Sequence, residues 1–192
     1  MRYRAGSLGL CCLLAALPVC AGVDGGLDAL MQAMAARPHG HAEFTESQYL
    51  ALLKTRLDSA GDLYFRYPDH LEKLTRTPSA ESLVIDHGTL TVTRGRLHHT
   101  VALAAYPQLA AFIDSLRATL AGDRAALERT FTLQFATDGS RWTLTLAPRD
   151  QKLAALVRQI RIGGAGDAIS TVETLRADGD RSVMTITPVP DG

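Results

Sequence analysis

The histidine, glycine and cysteine clusters of this chain are where any covalent or metal chemistry would have to begin. His39 and His41 stand two apart where a helical pattern gives way to a strand pattern, and His98 and His99 are adjacent within a strand pattern. Two imidazoles two residues apart can share a divalent ion, whereas neighbours on a strand point to opposite faces. Neither pair has a carboxylate at metal-site spacing, so surface histidines are the better reading and no metal or other cofactor is expected. Gly163-Gly164-Ala165-Gly166-Asp167 is glycine-rich and follows a strand pattern. A phosphate cradle needs a helix N-terminus behind it; a second strand pattern follows instead, so this run reads as a hairpin turn. The G-x-S-x-G elbow and the Walker loop are both missing from the sequence. All three cysteines, Cys11, Cys12 and Cys20, fall within the first twenty residues, and the acidic residues are scattered among turns and strand exteriors. No constellation for catalysis emerges, and the chain reads as a non-enzyme.

The remaining candidates are apolar, and they are ordered by the elements that carry them. Leu27, Leu30, Met31 and Met34 recur at helical spacing before Pro38, predicting a short amphipathic helix. From Ala42 the period becomes two. Phe131, Leu133 and Phe135 alternate with polar residues up to Asp138-Gly139, and Trp142, Leu144 and Leu146 alternate after it, which is a hairpin. Leu63 and Phe65 repeat the pattern, as do Leu83 and Ile85 before Asp86-His87-Gly88, with Leu90 and Val92 after it. Two further hairpins turn at Gly163 to Asp167 and at Ala177-Asp178-Gly179-Asp180. Between Tyr106 and Thr130 a helical stripe of Leu109, Phe112, Ile113, Leu116 and Leu120 ends at Gly122, and Asp123 can cap a further turn through Leu127.

These strands each have one apolar face, which predicts a mostly-β, α+β fold. About ten short strands with two or three modest helices suggest a strongly curved antiparallel sheet, an incomplete barrel with helices in its mouth. Phe44, Leu63, Phe65, Leu83, Ile85, Leu90, Phe112, Leu116, Leu133, Phe135, Trp142 and Leu144 are the candidate lining. The same positions serve a lipid pocket or a fully packed core, because periodicity specifies a face and not a volume.

Arg2 and Arg4 precede an apolar run from Leu8 to Val19, short of the ~20 residues that span a bilayer, closed by Pro18 and small residues. This is the pattern of a secretory signal peptide over residues 1–21, leaving a single domain over 22–192 without thiols. Cys20 offers a rival reading as a lipid-attachment site, against which stands the bulk of Val19. Twenty basic and twenty acidic residues balance, so nonspecific binding to nucleic acid lacks its electrostatic basis. Partners chosen by shape and apolar contact are expected.

In order, Ala42-Glu43-Phe44-Thr45-Glu46, Gly61-Asp62-Leu63-Tyr64-Phe65-Arg66-Tyr67-Pro68 and Leu83-Val84-Ile85-Asp86-His87-Gly88-Thr89-Leu90 resemble the motifs of the LolA-like outer-membrane lipoprotein carriers. The resemblance implies an incomplete β-barrel closed by helices, monomeric and periplasmic, whose cavity takes acyl chains of a lipoprotein. It also implies an inner-membrane donor, an outer-membrane acceptor, and no covalent chemistry. In that family an Arg directly before the motif's Pro governs the helical lid. Here Tyr67 holds that place and Arg66 precedes it, so both are candidate gating residues, although a one-residue shift on a strand reverses the face. Leu71, Lys73, Thr91 and Thr93 stand where family members often carry aromatic residues. These departures suggest a divergent branch whose cargo is a lipoprotein or another acylated lipid. A second reading is a sensor of the same fold that recognises a protein partner or a mislocalised lipoprotein.

Overall fold

A computed structural model describes residues 23–190, with the side chains at 23, 24, 107–109, 111 and 112 outside the description. The segment read as a signal peptide, Cys20 included, therefore lies outside the described residues. Helix α1 (Val23–Ala35) is followed by the strands β1 (His39–Leu50), β2 (Thr55–Arg66), β3 (His70–Thr77), β4 (Glu81–Asp86), β5 (Thr89–Arg94) and β6 (Leu97–Ala102). A 3₁₀ turn (Leu103–Ala105) leads to α2 (Pro107–Leu120) and α3 (Arg124–Thr130). The chain ends with β7 (Phe131–Asp138), β8 (Arg141–Pro148), α4 (Gln151–Ala154), β9 (Val157–Ala165), β10 (Ala168–Arg176) and β11 (Arg181–Pro188).

The eleven strands of the described residues form one antiparallel sheet in the order β6-β5-β4-β3-β2-β1-β11-β10-β9-β8-β7. The sheet is mostly hairpins between sequence neighbours, closed in its middle by β1 against β11, with Phe44 opposite Ile186. Strands β6 and β7 are its two edges, so the barrel is incomplete as the alternation implies. The helical connection from β6 to β7 must reach from one edge to the other. Ten inter-strand steps of ~4.8 Å make ~48 Å in a flat sheet. Helices α2 and α3 have 14 and 7 residues, ~32 Å end to end at ~1.5 Å per residue, and compact turns join them to the rest. A curved sheet brings its edges within that reach.

Local signals explain where the helices stop. The Gly122 amide donates to the Thr119 carbonyl and the Asp123 amide to that of Ala118, at 3.1 and 2.8 Å, with Gly122 at φ +67°. This is the left-handed stop of a Schellman motif. Any Cβ on Gly122 would sit 2.0 Å from the Met31 carbonyl oxygen, so the same residue lets α1 pass against the end of α2. The Asp123 carboxylate then accepts from the Ala126 amide and caps α3.

Antiparallel partners share a face, so the register sorts the side chains. The inner face, which carries the helices, holds Phe131, Leu133 and Phe135 on β7, Trp142, Leu144 and Leu146 on β8, and Ile160 and Ile162 on β9. These pack with Leu27, Leu30, Met31 and Met34 of α1, Leu127 of α3 and Leu153 of α4 into one core. Phe131, Leu144, Leu146 and Ile160 are fully buried.

Three details differ from the sequence reading. The histidine pair at 39 and 41 belongs to β1 itself, both on its outer face. Helix α4, one turn capped by Asp150, is too short to leave a periodic signal. Gly163 and Gly164 belong to β9, not to the turn after it. Their glycines serve packing, because a Cβ on Gly164 would lie 2.4 Å from the Trp142 ring and 2.1 Å from the Ala168 carbonyl oxygen. The indole lies over that gap, and its N–H donates to the Gly166 carbonyl at 2.8 Å.

Candidate functional site

The inner face of the other half of the sheet, β2 to β6, is built differently. Its register aligns Phe65, Leu71, Ile85, Leu90 and Val101 in one row across five strands. The next row runs Leu63, Lys73, Leu83, Val92 and His99. Every apolar member of both rows is half-buried, and none belongs to the packed core. Four inter-strand steps make each row ~19 Å long. Alternation on the strands produces the apolar rows, and tight turns such as Asp86-His87-Gly88, with His87 and Gly88 both at positive φ, keep them in register.

The expected lining residues thus divide between the two halves. Leu63, Phe65, Leu83, Ile85 and Leu90 lie in the half-open rows. Trp142 and Leu144 are sealed in the core, with Leu133 and Phe135 packed against it. Leu116 is half-buried on α2, and the Phe112 side chain lies outside the described residues. Phe44 is 2% exposed and sits on β1, where the two halves meet. Leu71, Val92 and Val101 complete the rows. Strand alternation is the signal for all three.

Beside the apolar rows, charge enters this face at Lys73. Lys73 reaches from β3 to β1, where its ammonium donates to the Glu46 carboxylate and lies 4.8 Å from the centre of the Phe44 ring. Ser182 on β11 donates to the other oxygen of Glu46. Burial pushes the Glu46 carboxyl up, but hydrogen bonds from Lys73 and Ser182, the Lys73 charge and a bond from Ser59 together hold it below the ordinary range. Asp58 on the outer face is likewise lowered, chiefly by its bond from Arg56. Both shifts favour the ionised form, the reverse of what a general acid at neutral pH requires.

Arg66 pairs with His39 and His70 on the outer face, away from the apolar rows. Tyr67 follows the end of β2, its amide donating to the Pro38 carbonyl at 2.6 Å. It borders a concavity of about 460 Å³ shared with Asp114, Arg117 and Ala118 of α2 and Arg129 of α3. A wider concavity of about 850 Å³ lies mainly on the outer face, between Tyr49, Arg56, Asp58 and Arg181. Asp69, Asp86 and His87 bring potential ligand atoms within 4.8 Å of one another on turns at the rim, outside the apolar rows. No helix among the described residues is long and apolar enough to cross a membrane.

The chain matches the family model described as outer membrane lipoprotein carrier protein LolA-like over residues 17–187. No curated protein matches its sequence. Among solved structures it is similar to a LolA superfamily protein from Nitrosomonas europaea, with 10% identity over 90% of this chain and 96% of that one at a TM-score of 0.43. It is similar to lipoprotein LppX of Mycobacterium tuberculosis, with 10% identity over 88% and 98% and a TM-score of 0.46. The MucA/MucB complex of Pseudomonas aeruginosa gives 13% identity over 86% and 59%, again with a TM-score of 0.46.

Proposed function

We propose that this chain, which belongs to the LolA-like outer-membrane lipoprotein carrier family, binds acyl chains on the inner face of β2–β6 and carries an acylated lipid or lipoprotein across the periplasm. The observation that carries the reading is the pair of half-open apolar rows beside a separately packed core. A core-forming face would be sealed; this one keeps Leu63, Phe65, Leu83, Ile85 and Leu90 partly wet. Covering such a surface with an acyl chain releases up to ~0.8 kcal/mol per buried methylene. No covalent step is needed, and the carrier acts without cofactor as a non-enzyme.

Delivery requires that cargo leave again. The connection through α2 and α3, with Tyr67 at its border, is the element whose position would differ between loaded and empty states, and a ligand shifts it only through differential affinity. Export by the N-terminal segment would place the domain in the periplasm, between an inner-membrane donor and an outer-membrane acceptor. Native mass spectrometry of protein purified from the periplasm tests the reading. An adduct with the mass of an acylated lipid, and saturable uptake of a fluorescent fatty acid after delipidation, are expected. A well-folded sample that carries no lipid and takes up no fatty acid refutes it.

A further inference from the structure

We propose that Lys73 is the contact for an oxyanion at the head of the acyl ligand, so that the inner face selects anionic amphiphiles over neutral ones. This rests on the acyl-binding reading above. Lys73 is the ammonium in the two half-open rows, whose other basic member, His99, stands exposed on the edge strand β6; it is flanked along its row by Leu63 and Leu83, and its side chain is 25% exposed. An ammonium has three donors. One serves Glu46 and a second direction faces the Phe44 ring, which leaves a donor for the open face.

The pair is unequal in its freedom. Glu46 is fixed on the central hairpin by Ser182 as well as Lys73, whereas Lys73 is a point charge on a four-carbon stem. An arriving oxyanion would share Lys73 with Glu46, and the ring beneath favours the ammonium with or without it. Such a pair is a poor device for stability, since apolar replacement of a partly buried ion pair is commonly neutral or stabilising. Its place also orients the ligand. The row of Phe65, Leu71, Ile85, Leu90 and Val101 has no charge and would take the chain, while the row on the far side of Lys73 continues with Thr75 and Glu81, which Arg94 neutralises at 2.5 Å.

Three probes of one chain length, hexadecanoate, hexadecyl phosphate and hexadecanol, separate head group from chain, and inorganic phosphate is the competitor without a chain. The delipidated domain should bind both anions at least tenfold tighter than the alcohol, with no competition from inorganic phosphate. Lys73→Met should bring all three to parity while hexadecanol binding stays within threefold. Glu46→Gln should tighten both anions severalfold, an effect that a merely structural ion pair would not produce. Because Lys73→Met leaves a carboxylate unpaired, the double variant Glu46→Gln/Lys73→Met carries the same expectation of parity without that burden. Equal binding of the three probes by the unaltered protein, or equal loss of all three in the double variant, overturns the role of Lys73. Binding of none of them by folded protein overturns the acyl-binding reading itself.

Discussion

Truncating one leucine in each half of the inner face distinguishes a sheet that packs throughout from one that reserves half its surface. Leu144 is fully buried, paired across the sheet with Phe135 and Ile162. Its replacement by Ala leaves a cavity among rigid neighbours and should cost about 3–4 kcal/mol. Leu83 is half-buried and outside that core. Three carbon groups at ~0.8 kcal/mol each would cost ~2.4 kcal/mol if fully buried, so Leu83→Ala should cost about 1 kcal/mol in the empty protein. With a urea slope of about 2 kcal/mol/M for a domain of this size, the midpoints should fall by ~1.7 M and ~0.5 M. Ligand affinity should follow the opposite order. A bound chain completes the burial of Leu83, so Leu83→Ala should weaken fatty-acid binding by about 1 kcal/mol, roughly fivefold. Leu144→Ala should leave affinity unchanged where the protein remains folded. Equilibrium urea unfolding and fluorescence titration of a labelled fatty acid read both quantities. Equal midpoint losses, or a weaker effect of Leu83→Ala than of Leu144→Ala on binding, would show that the face is one packed core.

Two further outcomes follow from local geometry. Gly164→Val places a Cβ against the Trp142 ring and the Ala168 carbonyl, so it should cost about 3 kcal/mol or more and shift the emission of the single tryptophan to the red; an unchanged spectrum and midpoint would refute the packing account. Glu46 has a folded pKa below its unfolded value of about 4.5, so the stability it contributes is present above about pH 4.5 and is lost as pH falls through the lower folded value. The difference in urea midpoint between the unaltered protein and Glu46→Gln should therefore shrink from pH 6 to pH 3, and a difference that stays constant would deny the carboxylate this role.

Much of the fold was legible because pleat and turn chemistry are local. The Asp138-Gly139 and Asp86-His87-Gly88 turns, the Gly122 stop and the Asp123 cap all stand where their residue types require. Gly163 and Gly164 were misleading because glycine in a strand can answer to a neighbour distant in sequence, here Trp142, and nothing local records that. The lining was legible as a face and not as two halves. Leu83 and Leu144 have the same residue type and the same alternation, and only the position of α1, α3 and α4 makes one half-open and the other sealed. Lys73 stood out in the sequence merely as a departure from an aromatic pattern; its partner Glu46 lies 27 residues away, across two strand pairings that the hydrophobic period does not specify.

The division of one sheet into two unlike halves has its origin in chain order. From Thr55 to Ala102 five strands follow one another through short turns with no helix inserted, so this stretch brings no cover of its own. From Leu103 to Val157 the chain makes α2, α3 and α4 around β7 and β8, and α3 runs directly into β7. Helices α3 and α4 fall on the strands beside them in sequence. Helix α1 joins the same side, because Asp28 pairs with Arg124 of α3 at 2.8 Å and Gly26 lies against the Phe135 ring. Helices α1, α3 and α4 are thus gathered over or beside β7–β9, and α2, in the connection from edge to edge, packs on those helices and leaves β3–β6 half-open. A fold that needed only a stable core would gain by spreading its helices. Concentrating them leaves ~19 Å of half-open apolar surface beside the Lys73–Glu46 pair, and that surface is where the proposed ligand would lie.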